Sequence, residues 1–361
     1  MAPQRLQSIM IRGYTSIRFA EVRLRDLNVL IGANGAGKSN FISALALLGR
    51  IVDEDLNLFV GQAGGASALL YRGDESIPEI GLRLEFSSNE YWAKLIPAAG
   101  DELIFGNEEI ELRGGRHVLG RGHRETRLLD ELDERDLSSM AGHVVDTLRG
   151  CRVFHFHDTS ANAPVKQTGF ASDNIALHPD ARNLAAVLLR LKQEDRSAYR
   201  RIVRTIQQVA PFFRDFVLIE ENGRLRLRWQ QEGSDVVFPA DALSDGTLRF
   251  ICLTTLLSLP DLPNLVVLDE PELGLHPYAI VQLADMLRAA SSASQVLIAT
   301  QSVTLMNQFE VDDLIVAERA GGASVFNRLT PAGLVDWLAE YSLGELWEKN
   351  LLGGRPQAES R

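Results

Sequence analysis

The chain has 361 residues, 45% of them hydrophobic and 24% charged, and its 37 basic against 48 acidic residues give a net charge of −11. That apolar content supports packed cores and excludes a disordered or fibrous chain. The acidic balance excludes a surface coated with basic residues for nucleic acid, but not a local basic groove. No apolar run approaches the roughly 20 residues of a membrane span, and the start MAPQRLQSIMIRGY lacks a signal-peptide apolar core. Two cysteines, Cys151 and Cys252, are too few for a disulfide framework or a zinc ribbon, so a cytoplasmic setting is expected.

In chain order, Leu6 to Tyr14 and Arg18 to Leu24 read as a hairpin. Leu27 to Ile31 is a continuous apolar run, as in a strand covered on both faces, and Lys38 to Arg50 has helical apolar spacing. Gly81 to Phe86 and Asp101 to Gly106 look like strands, Arg113 to Arg127 like a basic hairpin or exposed loop, and Leu128 to Met140 like a short acidic helix or loop. Cys151 to Asp158 reads as a buried strand, while Asn183 to Gln193 and Tyr199 to Phe213 carry helical stripes. Arg214 to Glu221 and Arg224 to Gln231, split by Asn222-Gly223, form a strand–turn–strand pattern. From Ala240 onward helices alternate with the apolar runs LVVLD, QVLIA and DLIVA, the pattern of a parallel sheet. The expected organisation is a head made of residues 1–60 and 236–345, an inserted β-rich and helical lobe at 61–235, and a tail at 346–361.

Gly32 to Ser39, GANGAGKS, matches G-x-x-x-x-G-K-[ST] in full, after a buried strand and before a helix. Its backbone N–H groups, at Gly32, Asn34, Gly35, Gly37 and on toward Asn40, suit phosphate oxygens, and the helix N-terminus adds partial positive charge. Lys38 reaches the β- and γ-phosphates, and the Ser39 hydroxyl ligates Mg2+. Asp269 and Glu270 end the apolar strand LVVLD. There Asp269 serves the magnesium and Glu270 the attacking water, as base or orienting group. Between these motifs lies ALSDGTLRF, Ala242 to Phe250, a hydroxyl residue and a glycine opening an apolar helix.

The set GANGAGKSN, LSDGT, LDEPELGLHP and IATQS resembles, in order, the motifs of ABC-type ATPase heads, and most of all the RecF/SMC-like AAA family of stand-alone ATPases. The resemblance is carried by residues 1–60 and 240–320. It implies an α/β fold of the P-loop NTPase, ABC/SMC-head type, with a mainly parallel sheet, an N-terminal antiparallel β-part and an inserted α/β lobe. It also implies an ATPase using ATP and Mg2+, in which Ser244 and Gly246 contact the γ-phosphate across a head-to-head homodimer. Association would then be the switch, in DNA repair, the DNA-damage response or anti-phage defence, or in control of a protein effector such as a nuclease or toxin. Gln301 stands where many such heads have histidine, and it can hydrogen-bond phosphate or water but carries no charge, so slow turnover is expected. Thr15 stands where many relatives have a basic residue, with Arg12 or Arg18 as substitutes or as strand-surface residues. Gln62, in FVGQAGG, is the candidate for the magnesium-sensing glutamine, with an ordinary loop glutamine as the alternative. The chain shows no heptad arm of SMC length, and with 32 residues after Leu329 a Toprim domain is not expected there.

Two further clusters stand apart. His155, His157 and Asp158 could hold a metal, but hydrogen-bonded histidines at a strand end are favoured, because no further Cys/His cluster completes a ligand set. Arg113, Arg116, Arg121, Arg124 and Arg127 form the densest basic run and could track a phosphate backbone or simply be solvated. The helix with Arg196, Arg200, Arg201 and Arg204 is a second basic face. A small-molecule P-loop kinase is disfavoured by the signature segment and the Asp-Glu pair.

Overall fold

The computed structural model describes residues 5–71, 78–87, 89–112, 115–133, 138–332 and 334–353. The N-terminal part runs β1 (Leu6–Tyr14), β2 (Ile17–Arg23), β3 (Leu27–Ile31), α1 (Lys38–Val52), α2 (Leu56–Gln62) and α3 (Ala66–Leu69). It continues through β4 (Ile80–Phe86), β5 (Glu90–Ala98), β6 (Glu102–Leu112), β7 (Gly115–Gly120), α4 (Ser138–Gly150) and β8 (Val153–Phe154). The middle holds β9 (Gly169–Phe170), α5 (Leu184–Glu194), α6 (Arg196–Val209), β10 (Phe213–Phe216), β11 (Arg224–Leu225), β12 (Arg228–Gln231), β13 (Val237–Pro239) and α7 (Asp245–Leu257). Last come β14 (Leu265–Asp269), α8 (Pro277–Ser291), β15 (Gln295–Thr300), α9 (Val303–Met306), β16 (Leu314–Ala320), β17 (Ala323–Arg328), α10 (Val335–Leu338) and α11 (Leu343–Glu348).

These elements fall into two compact units, the first made of Met1–Val153, Pro263–Val267 and Ser294–Arg361, the second of Phe154–Leu262 and Leu268–Ala293. In the first unit one sheet has the order β17-β16-β3-β15-β14-β8. Its central strand β3 is buried along its whole length and pairs in parallel with both β15 and β16. The run LNVLI allows this, since a strand covered on both faces needs apolar residues at every position. A second, antiparallel sheet has the order β2-β1-β4-β5-β6-β7, so part of the span 61–153 extends the N-terminal hairpin. Alternating burial along β4 leaves one face for the core. Phe41, Leu45, Leu48, Leu82, Leu84 and Phe105 belong to that core, with Phe41 against Phe326 at a ring separation of 5.0 Å.

One buried carboxylate organises the end of this sheet. Glu108 on β6 accepts from Tyr91 Oη at 2.7 Å, from the Arg127 N–H and His123 Nε2 at 2.9 Å, and from the Thr126 hydroxyl. Burial pushes its carboxyl above the usual range, against the pull of these bonds, and pushes His123 below its own. Bonds from His123, Thr126 and the Arg127 N–H to one buried carboxylate fix this segment against the sheet.

In the second unit α7 is buried on nearly all sides, and it packs against α5, α6 and α8. The small sheet β10-β12-β13 carries an aromatic cluster, with the Phe213 ring against both Phe216 and Trp229. Asn222 and Gly223 both have left-handed φ, at 54° and 74°, as the Asn-Gly turn signal requires. The expected strand–turn–strand unit forms: β10 pairs antiparallel with β12, the Val217 N–H donates to the Arg228 carbonyl at 2.8 Å, and Glu221 bridges Arg224 around the turn, while β11 also pairs with β9 and β12 with β13. Cys151 and Cys252 are buried free thiols, each pushed up to about 12 by burial.

Other expectations are corrected as follows. The strand expected over Cys151 to Asp158 is only Val153–Phe154. The expected helix Tyr199 to Phe213 starts and ends earlier, as Arg196–Val209, because Asp195 caps it by accepting from the N–H groups of Ser197 and Ala198. Strands β5 and β17 and helices α2 and α4 add to the expected set. The 346–361 segment begins inside α11, and residues 354–361 lie outside the described ones. Among the described residues the longest helices, α1 and α8, have 15 residues each, so no long coiled coil is present. No helix is long and apolar enough to cross a membrane.

Candidate ATP site

The phosphate loop lies in the first unit. It leaves β3 at Ile31 and enters α1 at Lys38. Gly37 caps this helix with φ 109°, and no side chain caps it, so its first N–H groups face out from the helix end. A Cβ on Gly37 would collide with the Ser324 hydroxyl of β17, so only glycine fits. The Lys38 ammonium is buried and donates to the loop's own carbonyls, Gly32 O at 2.7 Å and Ala33 O at 3.2 Å. Gly35 sits in the left-handed region at the loop crest, beside exposed Asn34. Asn40 donates to the Ser16 hydroxyl at 2.6 Å, and Ser16 meets Ser324 at 2.7 Å. Hence the tip of the β1–β2 hairpin is tied to the first turn of α1.

Register brings a further residue to the same sheet edge. Thr300 on β15 pairs with Ile31, so Gln301 follows one residue past the end of β15, level with Gly32. Thr300 Oγ1 accepts from the Ser302 N–H at 2.9 Å, which turns the chain there. Gln301 is half-buried, within reach of the edge where open α/β sheets bind ligands.

The acidic and signature motifs lie in the second unit. Asp269 and Glu270 are half-buried at the carboxyl end of β14. Glu270 has φ 44°, a conformation that costs a non-glycine residue of order 1–3 kcal/mol and collects at functional sites. Three contacts fix its surroundings. His157 Nε2 donates to the Glu270 carbonyl at 3.3 Å. Arg249 of α7 donates to the Leu273 carbonyl at 2.8 Å and to the His157 carbonyl at 2.9 Å. Ser244 caps α7, accepting from the Thr247 N–H at 3.2 Å, and its side chain is exposed. A Cβ on Gly246 would sit 2.6 Å from the Gly274 carbonyl, so α7 and the loop after Glu270 are in close backbone contact.

That contact yields a prediction. Gly246→Ala should lower the melting temperature, costing about 1–3 kcal/mol through forced backbone shifts, and should reduce ATP turnover while ATP affinity stays at the parental level. Parental melting and turnover in that variant would contradict the packing.

A family model described as "AAA domain, putative AbiEii toxin, Type IV TA system" matches residues 27–106 and 148–307. The chain belongs to this AAA family. Among solved structures, an Smc head bound to the C-winged helix domain of ScpA is 17% identical with a TM-score of 0.56, covering 92% of this chain and 99% of that one. An Smc head with an extended coiled coil from Pyrococcus furiosus, bound to the C-terminal domain of ScpA, is 15% identical with a TM-score of 0.57, covering 93% and 99%. An Smc head with a coiled coil and joint from Pyrococcus yayanosii is 14% identical with a TM-score of 0.51, covering 93% and 99%. At such identities the likeness is one of fold. No curated protein matches by sequence. The fold is thus a P-loop NTPase of ABC/SMC-head type, and the family implies use of a nucleotide, usually with magnesium.

Within this AAA fold the remaining candidate residues are placed as follows. Gln62 is the exposed last residue of α2, which packs on α1 and β6. Thr15 turns β1 into β2 with φ 47°, its N–H donating to Leu69 O at 2.8 Å. Arg12 and Arg18 are exposed on those strands, Arg12 beside Glu79 at 3.7 Å. His155 and His157 make an edge contact at 5.9 Å between rings, and burial pushes His155 below its usual range while the Asp269 carboxylate opposes this. Asp158 accepts from the Ser160 N–H at 3.0 Å in an exposed turn. Among the described residues no cluster of three or more His, Cys, Asp or Glu could hold a metal. The Ser39 hydroxyl and the Asp269 carboxylate are each the kind of oxygen donor that magnesium takes.

The described arginines of the run make surface contacts within the protein's own chain. Arg116 pairs with Glu109 at 3.2 Å and Glu111 at 3.3 Å, and Arg124 with Glu102 at 2.9 Å. Arg121 donates to Asn107 at 3.1 Å and Arg127 to the Leu119 carbonyl at 3.5 Å. Arg113 lies outside the described residues. Sequence reasoning missed Ser16, Ser324 and Arg249. Arg249 was visible inside ALSDGTLRF, but nothing in that segment says that its guanidinium spans two loops.

Proposed function

We propose that this protein is a slow cytoplasmic ATPase whose ATP-bound form closes into a head-to-head homodimer. Ser39 and Asp269 would hold magnesium, with Gln62 as its sensing residue, and Lys38, the loop N–H groups and Asn40 would hold the triphosphate. When bound, the magnesium would offset phosphate charge. Glu270 would accept the proton of the attacking water, and Gln301 would hold that water or the γ-phosphate by hydrogen bonding. Ser244 and Gly246 of the partner would cap the γ-phosphate with the N-terminus of α7.

The observation that carries the dimer reading is the exposure of Ser244 and Asp245 at the start of a helix that is buried from Phe250 to Leu257. A helix N-terminus turned to solvent at the end of a buried helix body suits an anion brought by a second copy. The switch would serve DNA repair, the DNA-damage response or anti-phage defence. A second reading, control of a protein effector without DNA, is favoured by the net charge of −11 and by the toxin–antitoxin system in the family description.

Ser244→Arg tests the dimer. The bulky cation should leave ATP binding intact, cost about 1 kcal/mol from the lost cap, and abolish both ATP-dependent dimers and turnover. Light scattering coupled to gel filtration reads the mass. A variant that still dimerises with ATP would remove Ser244 from the interface.

A further inference from the structure

In the second unit, Arg196, Arg200 and Arg204 recur every four residues on α6, all exposed. On a helix that spacing forms one row, with about 6 Å between successive residues along the axis. The opposite side of α6 buries Ala198, Tyr199, Ile202 and Ile206. The row lines a groove of about 540 Å³ together with Lys192, Arg214 and Asp215. Asp215 is already occupied, accepting from Tyr199 Oη at 2.6 Å and facing Lys192 Nζ at 3.4 Å. Among the described residues, none of the three row arginines has an ion-pair partner. The contrast with Arg116 and Arg124, each held by a carboxylate, is direct.

Like charges four residues apart on a helix repel, and a chain with 48 acidic residues has ample means to neutralise them. We propose that this groove binds the phosphate backbone of a nucleic acid, with Arg196, Arg200 and Arg204 as successive phosphate contacts. A compact phosphate ligand would call for donors converging on one point, whereas these donors are strung along a line, as are the charges of a polyanion. The planar guanidinium fork also matches phosphate oxygens in pairs. This inference deepens the nucleic-acid side of the proposed function, but the row needs no bound ATP, so the two are tested apart.

The test uses the full chain without nucleotide and a fluorescein-labelled oligonucleotide, single-stranded and as duplex, read by anisotropy across a salt series. The combined variant Arg196→Gln, Arg200→Gln, Arg204→Gln removes charge from exposed positions. Its melting curve and ATP affinity should match the parent. Its oligonucleotide affinity should fall at least about tenfold near physiological salt. The slope of log affinity against log salt should become shallower by about 2–3, at 0.7–0.9 for each lost phosphate contact. The matching variant Arg116→Gln, Arg121→Gln, Arg124→Gln should bind like the parent. Absence of binding by the parent, or unchanged affinity and slope in the α6 variant, overturns the proposal. So does polyglutamate displacing the probe as well as unlabelled oligonucleotide, which would assign the groove to an acidic protein.

Discussion

Lys38→Ala should lower ATP affinity by at least ~10²-fold, measured by isothermal titration calorimetry with magnesium present. Hydrogen bonds to charged groups contribute about 1.5–3 kcal/mol each, and a buried ammonium reaching two phosphates makes more than one. Lys38 is placed for this, buried at the start of α1 and reaching back over the loop to Gly32 and Ala33. The alanine variant also loses the tie between helix and loop, so the loop must pre-organise without it. Normal affinity in this variant would refute the phosphate-loop assignment.

Glu270→Gln should leave ATP affinity unchanged and reduce phosphate release by about 10²–10⁴-fold, the usual contribution of a positioned general base. The amide has the carboxylate's shape but cannot take the proton of water. The backbone at residue 270 is held from outside its own side chain, through His157 on its carbonyl and Arg249 on the flanking loops, so the substitution should not relax the turn. With ATP the variant should accumulate as a dimer in light scattering, and with ADP as a monomer. Parental phosphate release would remove Glu270 from the chemistry.

The sequence made the nucleotide-binding fold legible because its signals are local. The phosphate loop is eight consecutive residues after a run of five apolar ones, and LVVLDE places its carboxylates by adjacency alone. Strand β5 was missed because EYWAKLIPA mixes polar residues and Pro97 into its alternation, and only pairing with β4 and β6 makes it a strand. The engagement of the arginine run was hidden for a similar reason. Its carboxylate partners Glu102, Glu109 and Glu111 lie on β6, and only the sheet brings them opposite. The α6 row was visible as a spacing, but its lack of compensation is a statement about space. His157 reached Glu270 across 113 residues of sequence, a separation no motif encodes.

The placing of β3 between β15 and β16 has a consequence for synthesis on the ribosome. The partners of this early strand begin at Gln295 and Leu314, more than 260 residues after β3 has emerged. At about 5–20 residues per second, the apolar segment LNVLI waits on the order of 15–50 s with neither edge covered. A lone apolar strand with open edges invites wrong pairing. The phosphate loop, which follows β3 directly, therefore cannot take its final shape until the last third of the protein has been made.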